Sequence, residues 1–281
     1  MNTAKDTVSS VAEPLAAEEA DFYRRAMTLL QEAQVPFLVG GAYAYARYTG
    51  VVRHTKDFDV FVRPEDKDRA LRTFAKAGYA TELSFPHWLG KAYRGENFVD
   101  VIYGSGNGIA RVDDGWFEHA VEGEVLGMSV PLCPAEEILW SKSFIMERER
   151  YDGADVAHLL LHCAQDLDWD RLLDRFGPHW RVLLSHLLLF GYIYPGERDL
   201  LPRRVLDTLL ARWADEGAPS PEEKKLCRGT ILSRAQYLMD VEECGYRDAR
   251  LEEGAMGRRD IATWTTAARE EEKKQLELHK G

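Results

Sequence analysis

The chain has 281 residues, of which 45% are hydrophobic and 11% aromatic, enough apolar material for one large core or two modest ones. A formal net charge of −11 at neutral pH argues against long-range attraction of a polyanion by the whole molecule, while leaving room for a local basic patch. Four widely spaced cysteines, Cys133, Cys163, Cys227 and Cys244, with no CxxC pair, argue against a disulfide framework and a structural zinc site, and a reducing cytoplasm is the expected location.

Residues 1–17 read as a flexible leader, because Lys5, Asp6 and Glu13 stand where a signal peptide needs an apolar run. Apolar positions Phe22, Ala26, Leu29, Leu30 and Ala33 recur at helical spacing and predict a helix from Glu18 to Ala33, broken by Val35-Pro36. Phe37-Leu38-Val39 predicts a strand, Gly40-Gly41 a turn, and Ala42 to Tyr48 a helix. Strand, glycine turn and helix together form a phosphate-binding arrangement in outline, since bare backbone at a helix N-terminus lets phosphate oxygens reach amide N–H groups.

Asp57 to Arg63 alternates like a strand, Pro64-Glu65-Asp66 opens a helix to about Ala77, and Tyr79 to Leu83 and Asn97 to Tyr103 read as strands. Gly104 to Gly108 follows as a mobile flap or a plain hairpin turn. Glu124 to Leu132 predicts one strand and Pro134 to Arg150 one helix. Beyond Asp152 the pattern is helical: Ala154 to Ala164, Trp180 to Tyr194, Leu200 to Asp215, a helix opened by Ser220-Pro221-Glu222, and a charged tail. The first half is therefore expected to be α+β or α/β, with an all-helical C-terminal domain behind it. Val182 to Tyr194 is too short to cross a bilayer, so no membrane association is expected.

Residues two apart on a strand face one way, roughly 6.6 Å apart. Asp57 and Asp59 thus share a surface while Phe58, Val60 and Val62 face the core. Two such carboxylates repel unless a cation lies between them, and hard oxygen ligands suit Mg²⁺. Asp100 sits in the apolar run Phe98 to Tyr103 and needs a partner there. If its strand adjoins that of Asp57 and Asp59, the three acids can hold one or two Mg²⁺ ions for phosphoryl transfer, with Asp100 also able to act as base toward an acceptor hydroxyl.

Leu38-Val39-Gly40-Gly41, then Arg53-His54-Thr55-Lys56-Asp57-Phe58-Asp59-Val60, then Phe98-Val99-Asp100-Val101 resembles the signature of the DNA polymerase β nucleotidyltransferase superfamily. The Arg-x-Thr-x-Asp-x-Asp form is similar to its AbiEii-type branch, which includes toxins of toxin–antitoxin and phage-defence systems. The resemblance covers residues 18–165 and implies a small mixed-sheet nucleotidyltransferase domain, with the helical remainder at 166–281. It implies Mg²⁺ on Asp57, Asp59 and Asp100, a nucleoside triphosphate as substrate, and nucleotide phosphates on Gly41. Gly41 stands where the family has serine, a tolerated variant. The family's lysine and following aspartate match Lys142 and Asp155.

Lys142 is also singled out by its own helix, where it falls between Ile138, Leu139, Ile145 and Met146 in an apolar stripe and wants an anion, either triphosphate or a structural partner. Gly40, Arg53 and Thr55 complete the candidate phosphate contacts, against plain loop roles for the last two, and Asp152 and Asp155 could merely cap a helix. Tyr43, Tyr45, Tyr48, Phe85, Trp88 and Tyr93 could stack a base but are expected in the core. The acceptor stays open among tRNA, a protein hydroxyl and a small molecule, and a cognate antitoxin is a possible partner. The competing reading is a non-catalytic nucleotide-sensing or partner-binding module with the same fold.

Overall fold

A computed structural model of the chain describes residues 16–278 apart from 54 and 56, so most of the expected leader and two positions of the Arg53–Asp57 motif lie outside the described residues. In chain order the first part holds α1 (Ala17–Glu32), β1 (Leu38–Val39), α2 (Gly41–Thr49), β2 (Phe58–Phe61), α3 (Lys67–Lys76), β3 (Ala80–Phe85), β4 (Leu89–Arg94), β5 (Asn97–Ile102), α4 (Asp114–Glu118), β6 (Val121–Val125) and β7 (Met128–Leu132). Then come α5 (Ala135–Ser143), α6 (Gly153–Cys163), α7 (Trp169–Phe176), α8 (Trp180–Ile193) and α9 (Arg203–Ala214). The chain ends in β8 (Leu226–Cys227), α10 (Gly229–Leu232), α11 (Leu238–Glu242), β9 (Arg247–Asp248), α12 (Ala249–Glu252) and α13 (Arg258–Leu278). The fold is mixed α and β with a largely helical second half, interrupted by a short parallel pairing of β8 with β9.

The seven-stranded sheet runs β3-β4-β5-β2-β1-β7-β6; β2 pairs parallel with β5, β1 parallel with β7, and the other pairings are antiparallel. Alternation along the two central strands sorts their side chains by face. Phe58, Val60, Val99 and Val101 are fully buried on one face, where α1 covers them through the stacking of Tyr23 on Phe58 at 4.7 Å. Asp59, Phe61, Asp100 and Ile102 take the opposite face, which α5 and the C-terminal elements cover.

Several local expectations give way to tertiary context. β4 pairs in full register with β5, from Leu89 opposite Ile102 to Arg94 opposite Asn97, although Gly90, Lys91 and Arg94 blur its apolar alternation. The single strand expected over Glu124–Leu132 is the end of a hairpin: Leu126 and Gly127 have φ of 51° and 79°, the pair of positive values a two-residue hairpin turn needs. Leucine is an unusual residue for the first of these positions, so the turn left little trace in the sequence.

The helix expected to reach Arg150 stops at Ser143. Past it the Met146 N–H donates to the Leu232 carbonyl at 3.0 Å and the Asp152 N–H to that of Ile145 at 3.1 Å, so long-range bonds replace the helical ones. Ile145 and Met146 are therefore not on the helix of Lys142, and the apolar stripe argued for that lysine is shorter than expected. Ser220 and Glu223 do make the reciprocal bonds of a helix start, at 2.9 and 3.3 Å. No helix follows, because Lys225 takes φ +58° and Leu226 enters β8.

Candidate active site

The parallel pairing of β2 with β5 sets Asp59 directly beside Asp100. With Asp57, one residue before β2, they form a group in which one carboxylate oxygen from each lies within 4.8 Å of the other two. Such crowding raises the cost of ionisation. Burial, then the charges of Asp57 and Asp100, push Asp59 up to about 7, against the pull of Lys142 and Arg150. Burial also raises Asp100, opposed by the hydrogen bond and charge of Lys91 and reinforced by Asp57. Three hard oxygen donors that hold too much negative charge for their surroundings fit a divalent cation such as Mg²⁺.

Gly40 is the N-cap of α2, with its N–H donating to the Asp59 carbonyl at 3.0 Å and its own carbonyl receiving the Ala44 N–H. Gly41 follows with φ +53°, and a Cβ there would come within 2.8 Å of the Asp59 carboxyl carbon and closer still to its Oδ2. A serine in this backbone would need the Asp59 carboxylate to shift and would sit at a φ that side chains rarely adopt.

Behind the triad runs a chain of alternating charges. Arg53 pairs with Asp155 at 2.6 Å, Lys142 with Asp155 at 2.7 Å and with Asp152 at 2.9 Å, and Arg150 with Asp152 at 2.9 and 3.0 Å. The Arg53 guanidinium also lies 5.0 Å from the centre of the Tyr45 ring. Asp152 precedes α6 but makes no capping bond with its side chain; burial pushes its carboxyl up, and Arg150 and Lys142 outweigh this to hold it below the usual range. Thr55 donates to the Asp57 carboxylate.

Gly41, Asp57, Asp59, Asp100 and Lys142 line one cavity of about 310 Å³. Gly40, Arg53, Thr55 and Asp155 are not among its lining residues: Thr55 bonds Asp57, Asp155 bonds Lys142, and Arg53 bonds Asp155. The sequence reading missed Lys91, whose Nζ lies 2.7 Å from Asp100 Oδ1, and Arg150, which lines the same cavity and feels the charge of Asp59. Lys91 belongs to the strand that was not predicted. Arg150 lies seven residues past the end of α5 at Ser143, and no local pattern marks either residue.

Phe61, Trp88, Ile102, Trp116, Phe144 and Trp264 give the cavity an apolar, largely aromatic part, beside the polar lining residues Ser105, Asn107, Ser141, Glu147, Thr230 and Arg234. Tyr43, by contrast, packs on Phe58 at 5.3 Å, and Tyr45 shares a 3.0 Å hydrogen bond with His158. The Gly104–Gly108 segment connects β5 to α4, and its Asn107 side chain donates to the Ile231 carbonyl at 2.9 Å.

No protein-family model matches the chain, and no curated protein matches it. Among solved structures it is similar to the antibiotic-resistance factor ANT(2'')-Ia, with 16% identity over 61% of this chain and 98% of that one and a TM-score of 0.44. It is similar also to the lincomycin-bound lincosamide antibiotic adenylyltransferase LnuA, with 16% identity, 52% and 98% coverage and a TM-score of 0.37. An antigenic nucleotidyltransferase-like protein from Paracoccidioides brasiliensis matches at 16% identity, 62% and 94% coverage and a TM-score of 0.35. Among the described residues no helix is long and apolar enough to cross a membrane.

Proposed function

We propose that the chain is a Mg²⁺-dependent nucleotidyltransferase of the polymerase β type, which moves a nucleoside monophosphate from a nucleoside triphosphate to an acceptor hydroxyl. The observation that carries this reading is the convergence of Asp57, Asp59 and Asp100 beside the bare backbone of Gly41. Asp57, Asp59 and Asp100 would hold the metal, whose bound charge would offset that of the phosphates. Gly40 and Gly41 seat the triphosphate: Gly41 starts the helix and offers its N–H to phosphate oxygens, while Gly40, whose own N–H bonds the Asp59 carbonyl, keeps the approach free of side chain. Lys142 and Arg150 face the same cavity and add positive charge. Asp100, tied to Lys91, accepts the acceptor's hydroxyl proton. Arg53, Thr55 and Asp155 fix the loop before Asp57 and the position of Lys142.

We further read residues 18–165 as the nucleotidyltransferase domain and 166–281 as a helical domain that selects the acceptor. The Arg-x-Thr-x-Asp-x-Asp motif favours the AbiEii-type branch, and with it a role in toxin–antitoxin or phage defence. Incubation with labelled ATP, CTP, GTP and UTP and candidate acceptors tests the activity. Transfer by the wild type that is abolished in Asp57→Ala and Asp59→Ala supports it, and transfer indifferent to both substitutions refutes the site.

One observation favours a second reading. Lys142 is already engaged by two aspartates, as a structural lysine would be. A nucleotide-sensing or partner-binding module without catalysis would keep this arrangement. Calorimetry separates the two, since Mg²⁺-dependent triphosphate binding together with label transfer excludes the non-catalytic reading.

A further inference from the structure

We propose that the aromatic half of the cavity is the acceptor subsite and takes a compact, ring-bearing small molecule with a free hydroxyl, an inference that rests on the nucleotidyl-transfer reading above. The two floor strands set the layout. Asp59 lies beside Asp100, and the next residues on the same face, Phe61 and Ile102, lie beside each other. One step of roughly 7 Å along the sheet thus turns an acidic floor into an apolar one. Gly41, Lys142 and Arg150 all act on Asp59, so the phosphate-binding groups gather at the acidic end. The apolar end adjoins Asp100, the acid assigned to the acceptor hydroxyl.

Aromatic rings wall that end. Trp116 stacks on Phe61 at 5.3 Å, and Trp88, next to the Leu89 that pairs with Ile102, meets Trp264 edge to face at 5.5 Å. Flat apolar faces at right angles suit a rigid ring, saturated or aromatic, that can be held without losing much conformational freedom.

Long-range bonds hold the C-terminal part of the lining in place. Asn107 bonds the Ile231 carbonyl at 2.9 Å, the Met146 N–H bonds that of Leu232 at 3.0 Å, and Arg234 pairs with Glu147 at 3.0 Å. The whole cavity, acidic and aromatic ends together, measures about 310 Å³, at the lower end of what small-molecule sites offer. Such a space holds a small molecule or one protruding group and no folded surface, and a net charge of −11 opposes a polyanionic acceptor at long range.

The test uses the full chain with Mg²⁺, α-labelled triphosphate and three acceptor pools: a protein-free metabolite fraction, tRNA and total protein. Label entering the metabolite fraction is the expected result. With the labelled acceptor purified from that fraction, Trp264→Ala should raise its KM at least about tenfold and leave the KM for triphosphate unchanged, while Trp264→Phe should restore it to within about threefold. Label entering tRNA or protein alone overturns the proposal. So does a change in the triphosphate KM instead of the acceptor KM, which would assign the rings to the nucleobase, or an acceptor KM that does not move. Binding of Mg²⁺-triphosphate without transfer to any pool also overturns it, and absence of that binding overturns the nucleotidyl-transfer reading itself.

Discussion

The carboxylate of Asp59 occupies the space that a side chain on Gly41 would fill: a Cβ there would lie within 2.8 Å of the Asp59 carboxyl carbon. The first residue of α2 and the central acid of the triad are thus fitted to each other. Gly41→Ala must both strain a backbone held at φ +53° and displace the acid. The expected outcome is a loss of transfer of about 100-fold or more, with a fall in stability on the order of 1–2 kcal/mol. Steady-state kinetics beside a thermal melt check both, and a fully active Gly41→Ala enzyme would contradict the fit.

Stability should depend on pH through Asp59. Its folded value, pushed up to about 7, lies above the ordinary aspartate value of 3.8. The folded state then keeps a proton that the unfolded state releases as pH rises from about 4 to 7, so this group makes folding less favourable across that window. In metal-free protein Asp59→Asn should flatten this part of the profile and raise stability at pH 8 by roughly 1–3 kcal/mol, while abolishing transfer. Denaturant melts of both proteins between pH 5 and 8 provide the measurement. A variant no more stable than wild type at pH 8 would mean that the three acids do not burden the fold.

Lys91 holds Asp100 from the neighbouring strand at 2.7 Å. Lys91→Met removes the cation that opposes the upward shift of Asp100. Transfer at pH 7 should fall on the order of tenfold and recover in part at higher pH, where Asp100 ionises without help. Lys91→Arg keeps the charge and should keep most of the activity. A rate–pH profile identical for Lys91→Met and wild type would remove Lys91 from the site.

A different ion-pair cluster should matter for folding alone. Glu137 on α5 is fully buried and pairs with Arg171 and Arg175, the latter at 3.1 Å, tying α5 to α7. Glu137→Ala leaves both arginines without this partner and is expected to cost about 3 kcal/mol. Binding of Mg²⁺-triphosphate to the fraction that remains folded should be unchanged, which calorimetry below the melting temperature can measure.

The parts of the site that the sequence revealed are those set by local periodicity. Asp57, Asp59 and Asp100 stood out because charge on an apolar, alternating strand is conspicuous, and Gly40-Gly41 because glycine pairs between strand and helix are. The parts it concealed depend on contacts distant in sequence. Lys91 meets Asp100 only through the pairing of β4 with β5, and Arg150 reaches the cavity only because α5 ends early in favour of a bond to Leu232. The aromatic wall is assembled from Phe61, Trp88, Trp116 and Trp264, which share no local pattern. Ser220 shows the converse: its capping bonds form as the sequence suggests, but the helix they would start is overruled by the pairing of β8 with β9.

The most direct measurement of the central claim is a titration of Mn²⁺, as a paramagnetic substitute for Mg²⁺, into the chain with a non-hydrolysable triphosphate, monitored by electron paramagnetic resonance. Tight Mn²⁺ binding by the wild type, weakened at least about tenfold by each of Asp57→Asn, Asp59→Asn and Asp100→Asn, is the expected result. Equal binding by the wild type and a protein carrying all three substitutions would contradict it.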